Sequence, residues 1–381
     1  MTKENFPFFD KEEFNEEERE AKKEMHLSGS KNWFYCPSEK MVSEIEELQE
    51  KLAIAPFYEM QIDVHTDSDI LQNQLNWINS LSETKETERI SLGDLYYITK
   101  AENRAPILNP EGGRGLKEMT DKPADTVYDP ISGICVIKAW DRFTSLESLA
   151  LGMRAFKVSE KGLYGMHAAL LSKEGEGFLL VGRAGAGKTT ASLLLAERGF
   201  DLISDDWVEV YKRDNGFYAR TVIPTISISN SYFKEMQRKF GVCKSKEPPG
   251  FVSYGKLITT IKMLNSQWSP DIETLIKKVI LLDNESYIND INGLSLLNFQ
   301  KFINPHIPFF NMPQGAPIRA IHLSTSDLNQ GRSAIDNFHK RTASFYEEFA
   351  QSDTHSIQRL ENKSMPIEET IKKLESVFKK V

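Results

Sequence analysis

Apolar residues follow two spacings along this chain. Met41, Ile45, Leu48 and Leu52 step by four, three and four, which predicts an amphipathic helix over 39–53. Ile70, Leu71, Leu75, Ile78 and Leu81 predict a second helix over 67–82, with Thr66 or Asp67 as candidate caps. Thr144 and Glu147 have capping-box spacing and open a third helix, whose apolar stripe is Leu146, Leu149, Met153 and Phe156. Strands are expected at Gly133–Trp140, Met166–Leu171, Phe178–Val181, Leu202–Ile203, Val208–Tyr211, Thr221–Ser229, Lys278–Leu282 and Ile318–Leu323. Two more helices are expected over 332–350 and 366–380. Pro366 suits a first helical position, and acidic residues follow it with lysines at the far end.

This order predicts an α/β protein. A mixed β-sheet flanked by helices would occupy 126–381, after a smaller, mainly helical region over 1–125. The stretch 101–125 is rich in Gly, Pro and charge and reads as a loop, as does 243–256.

Composition narrows the classes. An apolar share of 40% supports a substantial core, and no apolar run is long enough to span a bilayer. Lys and Arg number 47 against 55 Asp and Glu, a net charge of −8 that lends no support to nucleic-acid binding. The first 24 residues lack the basic and apolar regions of a secretory signal, so a cytoplasmic protein without membrane attachment is expected. Asp10–Glu24 forms an acidic run, read as a solvated face or a dock for a basic partner or leader peptide. Cys36, Cys135 and Cys243 are widely spaced and read as free thiols.

The chemistry concentrates between 160 and 212. Gly182, Arg183, Ala184, Gly185, Ala186, Gly187, Lys188 and Thr189 fit the pattern G-x-x-x-x-G-K-[ST], with Thr190 opening the helix behind it. Glycines let successive backbone N–H groups turn inward on phosphate oxygens, and the helix presents its positive end to the same anion. Lys188 would reach the outer phosphates, and Thr189 would offer a hydroxyl to Mg²⁺. An apolar strand precedes the loop and a helix follows it, which is the context this motif needs.

Asp205 and Asp206 end the next apolar strand. One carboxylate there can serve a metal while the other takes a proton from an attacking hydroxyl. His167 lies on the strand before the loop. Taken alone it reads as a core residue, and beside the acidic pair as a partner for a carboxylate or phosphate. Arg183 lies within the loop. Arg220, Arg319 and Arg332 read as surface residues, and Lys244, Lys246 and Lys256 as parts of a solvated loop.

His167, the loop at Gly182–Thr189, a helix ending in Arg198-Gly199, and Asp205-Asp206 follow one another in an order that resembles the HPr kinase/phosphorylase family. The likeness extends to its relatives, the HPr-kinase-like peptide kinases of lasso-peptide clusters. It covers roughly 162–212. Ala184 stands where the family usually carries Ser, and the family's downstream signature is not recognisable. The resemblance implies a P-loop kinase core and ATP- and Mg²⁺-dependent phosphorylation of a serine on a peptide or protein. It also implies possible homo-oligomers. It casts Asp205 as the general base, Asp206 with Thr189 as metal ligands, and His167 as the group that orients the acidic pair or steadies the transferred phosphate.

Other classes fit less well. Asp290-Ile291-Asn292-Gly293 matches a GTPase DxxG switch, but Asn362-Lys363-Ser364-Met365 lacks the Asp of a guanine reader. The loop glycines lack dinucleotide-fingerprint spacing. A small-molecule hydroxyl kinase and a non-catalytic nucleotide-binding regulator remain the alternatives.

Overall fold

The computed structural model describes residues 33–37, 46, 52–57, 60–81, 91–99, 126–129, 131–139, 143–182, 186–229, 250–253, 256–261, 272–283, 321–325, 328–361 and 367–378. The predicted helix at 39–53, the segment 101–125 and the acidic run at 10–24 lie essentially outside these residues.

One sheet has seven strands: β1 (Trp33–Pro37), β2 (Ala53–Phe57), β3 (Ile62–Thr66), β4 (Gly93–Thr99), β5 (Thr126–Asp129), β6 (Ile134–Ala139) and β17 (Ile321–Thr325). Their order is β1-β17-β5-β6-β4-β3-β2, with parallel and antiparallel pairs mixed. Strands from both sides of residue 125 therefore pair in one sheet.

Helix α1 (Asp69–Asn79) packs on this sheet through Leu71, Leu75 and Ile78, while Ile70 faces solvent. Its cap is Ser68, whose hydroxyl accepts from the Leu71 N–H at 3.1 Å; Thr66 instead accepts from the Ser68 N–H at 3.2 Å. Among the described residues before 100, α1 is the one full helix, and the remaining elements are mostly strands. Over these described residues strands outweigh the helical character expected for 1–125, for a physical reason. Segments such as IDVHT alternate inward and outward at period two and bury one face against α1.

Helix α2 (Phe143–Ser159) buries all four residues of its predicted stripe beneath the same sheet. Thr144, expected as a cap, falls inside its first turn.

The second sheet contains β7 (Tyr164–Met166), β8 (Ala168–Lys173), β9 (Glu176–Gly182), β10 (Asp201–Ser204), β11 (Val208–Arg213), β12 (Gly216–Thr221), β16 (Glu273–Asp283) and β18 (Ser356–Glu361). The order is β10-β8-β9-β16-β12-β11-β7, and β18 pairs with β16. On one face lie α3 (Lys188–Ala196), α5 (Ile367–Phe378) and a small sheet of β13 (Thr225–Ser229), β14 (Gly250–Ser253) and β15 (Lys256–Thr260). On the other, α4 (Leu328–Gln351) packs Phe345, Tyr346 and Phe349 against Leu179, Val181 and Val210. Each such side chain contributes roughly 1.5–3 kcal/mol on full burial. The mixed α/β class expected from the sequence is the class observed.

Candidate active site

β9 runs as an apolar strand into Gly182. A Cβ at Gly182 would stand 2.9 Å from the Ala186 side chain and 2.9 Å from the Leu282 carbonyl oxygen. Gly187 caps α3 in the left-handed region, at φ 90 and ψ 15, a conformation that penalises any Cβ. Arg183, Ala184 and Gly185 lie outside the described residues. Ala186 is buried in the core behind the loop, and Thr190 sits half-buried in the first turn of α3.

Lys188 is buried, and its ammonium donates to the Gly182 carbonyl at 2.8 Å. The lysine thus spans the loop from one end to the other. Its charge lies at the positive end of a nine-residue helix, an arrangement that suits an anionic ligand.

β10 delivers the acidic pair. Its residues Leu202, Ile203 and Ser204 are buried, and the Ser204 hydroxyl donates to the Trp207 carbonyl at 2.6 Å, closing a tight corner around Asp205 and Asp206. The two carboxylates leave this corner into different surroundings. Asp205 is 3% exposed and lies against α3, accepting from Thr189 Oγ1 at 3.1 Å and Ser192 Oγ at 3.3 Å. Burial, then the neighbouring Asp206 charge, push its carboxyl up to about 7, against the opposing pull of Thr189, Lys188 and Ser192. Asp206 has a side chain 59% exposed and meets His167 Nε2 at 2.7 Å.

His167 lies at the break between β7 and β8, not inside a strand, so its ring leaves the ladder and points to the acidic corner. It is buried, with the 2.7 Å contact to Asp206 at its outward nitrogen.

The fold therefore brings together His167, Gly182, Gly187, Lys188, Thr189, Asp205 and Asp206. Thr189 pairs with Asp205, and His167 pairs with Asp206. Arg220 lies elsewhere, bonded to Glu209. Arg319, Lys244 and Lys246 lie outside the described residues, and Arg332 lies along α4.

Sequence reasoning missed Ser192. The signal was present, since it stands one helical turn after Thr189 and so shares its face.

The donor set fits a nucleotide with Mg²⁺. A nearly dry carboxylate beside a hydroxyl, with a buried ammonium across the loop, is a place where a hard divalent cation would relieve the cost of an anionic Asp205. Among the described residues no cluster of three or more His, Cys, Asp or Glu forms a complete metal cage. Mg²⁺ does not need one, because it keeps waters and phosphate oxygens.

Comparison with known proteins places this arrangement in context. Residues 161–227 match the family model for the HPr Serine kinase C-terminal domain. The HPr kinase/phosphorylase of Lactobacillus delbrueckii subsp. bulgaricus is 36% identical over 84 residues, 22% of this chain and 26% of that protein. The HPr kinase/phosphorylase of Latilactobacillus sakei is 37% identical over 92 residues, 24% of this chain and 28% of that protein. This chain thus spans about a quarter of the length of these curated relatives. Among solved structures, the Hpr(Ser) kinase/phosphatase from Coxiella burnetii matches with 16% identity and a TM-score of 0.23, covering 48% of this chain and 98% of that one. The segment carrying His167, the glycine-rich motif at 182–189 and the acidic pair is HPr-kinase-like. No helix among the described residues is long and apolar enough to cross a membrane.

Proposed function

We propose that the protein is a cytoplasmic, ATP- and Mg²⁺-dependent kinase that phosphorylates a hydroxyl, most readily a serine of a peptide or protein. One observation carries this reading: a buried Asp205, bonded to the Thr189 hydroxyl that follows Lys188, and an exposed, His-bonded Asp206 stand side by side. A module that merely binds nucleotide needs no second, outward carboxylate.

In this reading the backbone N–H groups of the loop and Lys188 hold the phosphates. When bound, Mg²⁺ supplies charge neutralisation on the transferring phosphoryl group. Thr189 and Asp205 would hold it. Asp206 accepts the proton of the incoming hydroxyl, and the His167 imidazole fixes the carboxylate's orientation. This division of labour reverses the one implied by the resemblance. Two facts support the reversal: Asp205 is shielded by Thr189 and Ser192, whereas the Asp206 side chain is 59% exposed.

The test is intact-mass spectrometry of peptides and proteins encoded beside this chain, incubated with it, ATP and Mg²⁺, against a Lys188→Ala control. A phosphate-sized mass gain with the native protein alone is expected. ATP consumption without any gain would assign the acceptor to a metabolite or to water. No gain and no ATP loss would overturn the kinase reading in favour of a nucleotide-binding regulator.

A further inference from the structure

The acidic corner is held from outside its own sheet. Trp207, the residue after Asp206, buries its ring in the core of the seven-stranded layer with Phe156, Val222 and Ile223. It lies so close to β7 that a Cβ on Gly165 would stand 1.9 Å from the indole.

Two residues further, Glu209 is 1% exposed and grips two arginines. Arg154, from α2, donates through Nε at 2.6 Å and Nη2 at 3.1 Å, a bidentate fork. Arg220, from β12, donates to the same carboxylate through Nε at 3.0 Å and Nη2 at 2.9 Å. Burial alone would raise the Glu209 carboxyl, but the charges and hydrogen bonds of Arg154 and Arg220 together hold it below its ordinary value.

Arg154 has a third connection. Its Nη1 donates to the Met60 carbonyl at 3.3 Å and to Gln61 Oε1 at 2.9 Å. These residues form the turn between β2 and β3, where Gln61 takes a φ of 57. A continuous polar chain therefore runs from that turn, through α2, to the strand that begins just after Asp206.

Stability does not explain this choice of residues. A buried ion pair is often no more stabilising than apolar side chains of similar volume, because both charges lose their water. A guanidinium–carboxylate fork does supply direction, since its planar geometry fixes where each partner sits.

We propose that Arg154 and Glu209 are positioning residues, coupling the β2–β3 turn of the seven-stranded sheet to the acidic corner and holding Asp206 against His167. The first sheet is then part of the site's scaffold as well as any docking surface it offers. The catalytic consequence rests on the function proposed above; the coupling itself does not.

The experiment uses the full chain with ¹⁵N-labelled histidine, the His167 ring signals being assigned with His167→Gln. The variants are Arg154→Lys, Glu209→Gln, and the volume-conserving pair Arg154→Met with Glu209→Met. Lys373→Gln, which breaks an exposed pair with Glu369 on α5, is the control. The proposal expects the His167 ring signals to move in all three while the control leaves them in place. The Met pair decides the question if the single variants fail to fold. A folded Met pair with native His167 signals would reduce the network to packing and overturn the proposal.

Phosphoryl transfer adds a second readout. kcat should fall roughly tenfold to a hundredfold with the nucleotide KM unchanged. A native chain that transfers no phosphate would sink the kinase reading, while the histidine signals would still decide the coupling.

Discussion

His167 Nε2 and Asp206 Oδ1 stand 2.7 Å apart, the imidazole buried and the carboxylate opening to solvent. The buried ring thus holds a carboxylate whose side chain is 59% exposed. One residue earlier, Asp205 faces inward to Thr189 and Ser192. Adjacent residues of one corner thus meet opposite environments, and the predictions for the site follow from that contrast.

Asp206→Asn should cut turnover by about two orders of magnitude or more while nucleotide affinity persists. Asp205→Asn should instead weaken the Mg²⁺-dependent part of nucleotide binding. Nucleotide titrations with and without Mg²⁺, run beside single-turnover assays, separate the two. The opposite pattern would restore the roles implied by the family resemblance.

Lys188→Ala should abolish phosphoryl transfer and the thermal stabilisation conferred by nucleotide. Loss of the ammonium also frees the Gly182 carbonyl, so the loop itself loosens. Differential scanning fluorimetry with ATP and Mg²⁺ checks this, and wild-type-like turnover would refute the assignment of the loop.

Gly165→Ala should destabilise the fold by about 1–3 kcal/mol, because a Cβ meets the Trp207 ring at 1.9 Å and one of them must shift. Since Trp207 adjoins Asp206, turnover should fall as well. Urea unfolding followed by tryptophan fluorescence gives the first number, and an assay well below the midpoint gives the second.

His355 sets an acid limit on stability. It packs against Phe217 and Phe349, and burial lowers its pKa to about 4 from an ordinary 6.5. As pH falls from 6.5 toward 4, the unfolded chain takes up this proton before the folded one does. Stability is therefore fully present above 6.5 and is lost across that window, by on the order of 3 kcal/mol. His355→Gln should flatten this part of the pH–stability curve. An unchanged slope would show that the ring titrates normally in the fold.

Much of this was legible in the chain itself. The stripes of α1 and α2, the strand–loop–helix at Gly182–Thr189 and the closing helices are local patterns. Period and spacing carry them, because backbone geometry sets which side chains share a face. The same holds for the motif at Gly182–Thr189, since glycine, lysine and threonine stand there at fixed offsets along the chain.

Other features had no local signal. The sheet that β2, β3 and β4 join is completed only by β5, β6 and β17 from distant parts of the chain. Asp205 and Asp206 are chemically identical in sequence, and their neighbours in the fold distinguish them, α3 for Asp205 and His167 for Asp206. Glu209 alternates with Val208 and Val210 as an outward strand residue would, yet it is buried because Arg154, 55 positions away, meets it there. Sequence by itself determined many of the elements and the kinds of groups the candidate site contains. Tertiary structure decided which group meets which, because burial and charge pairing depend on neighbours that the chain brings together only when folded.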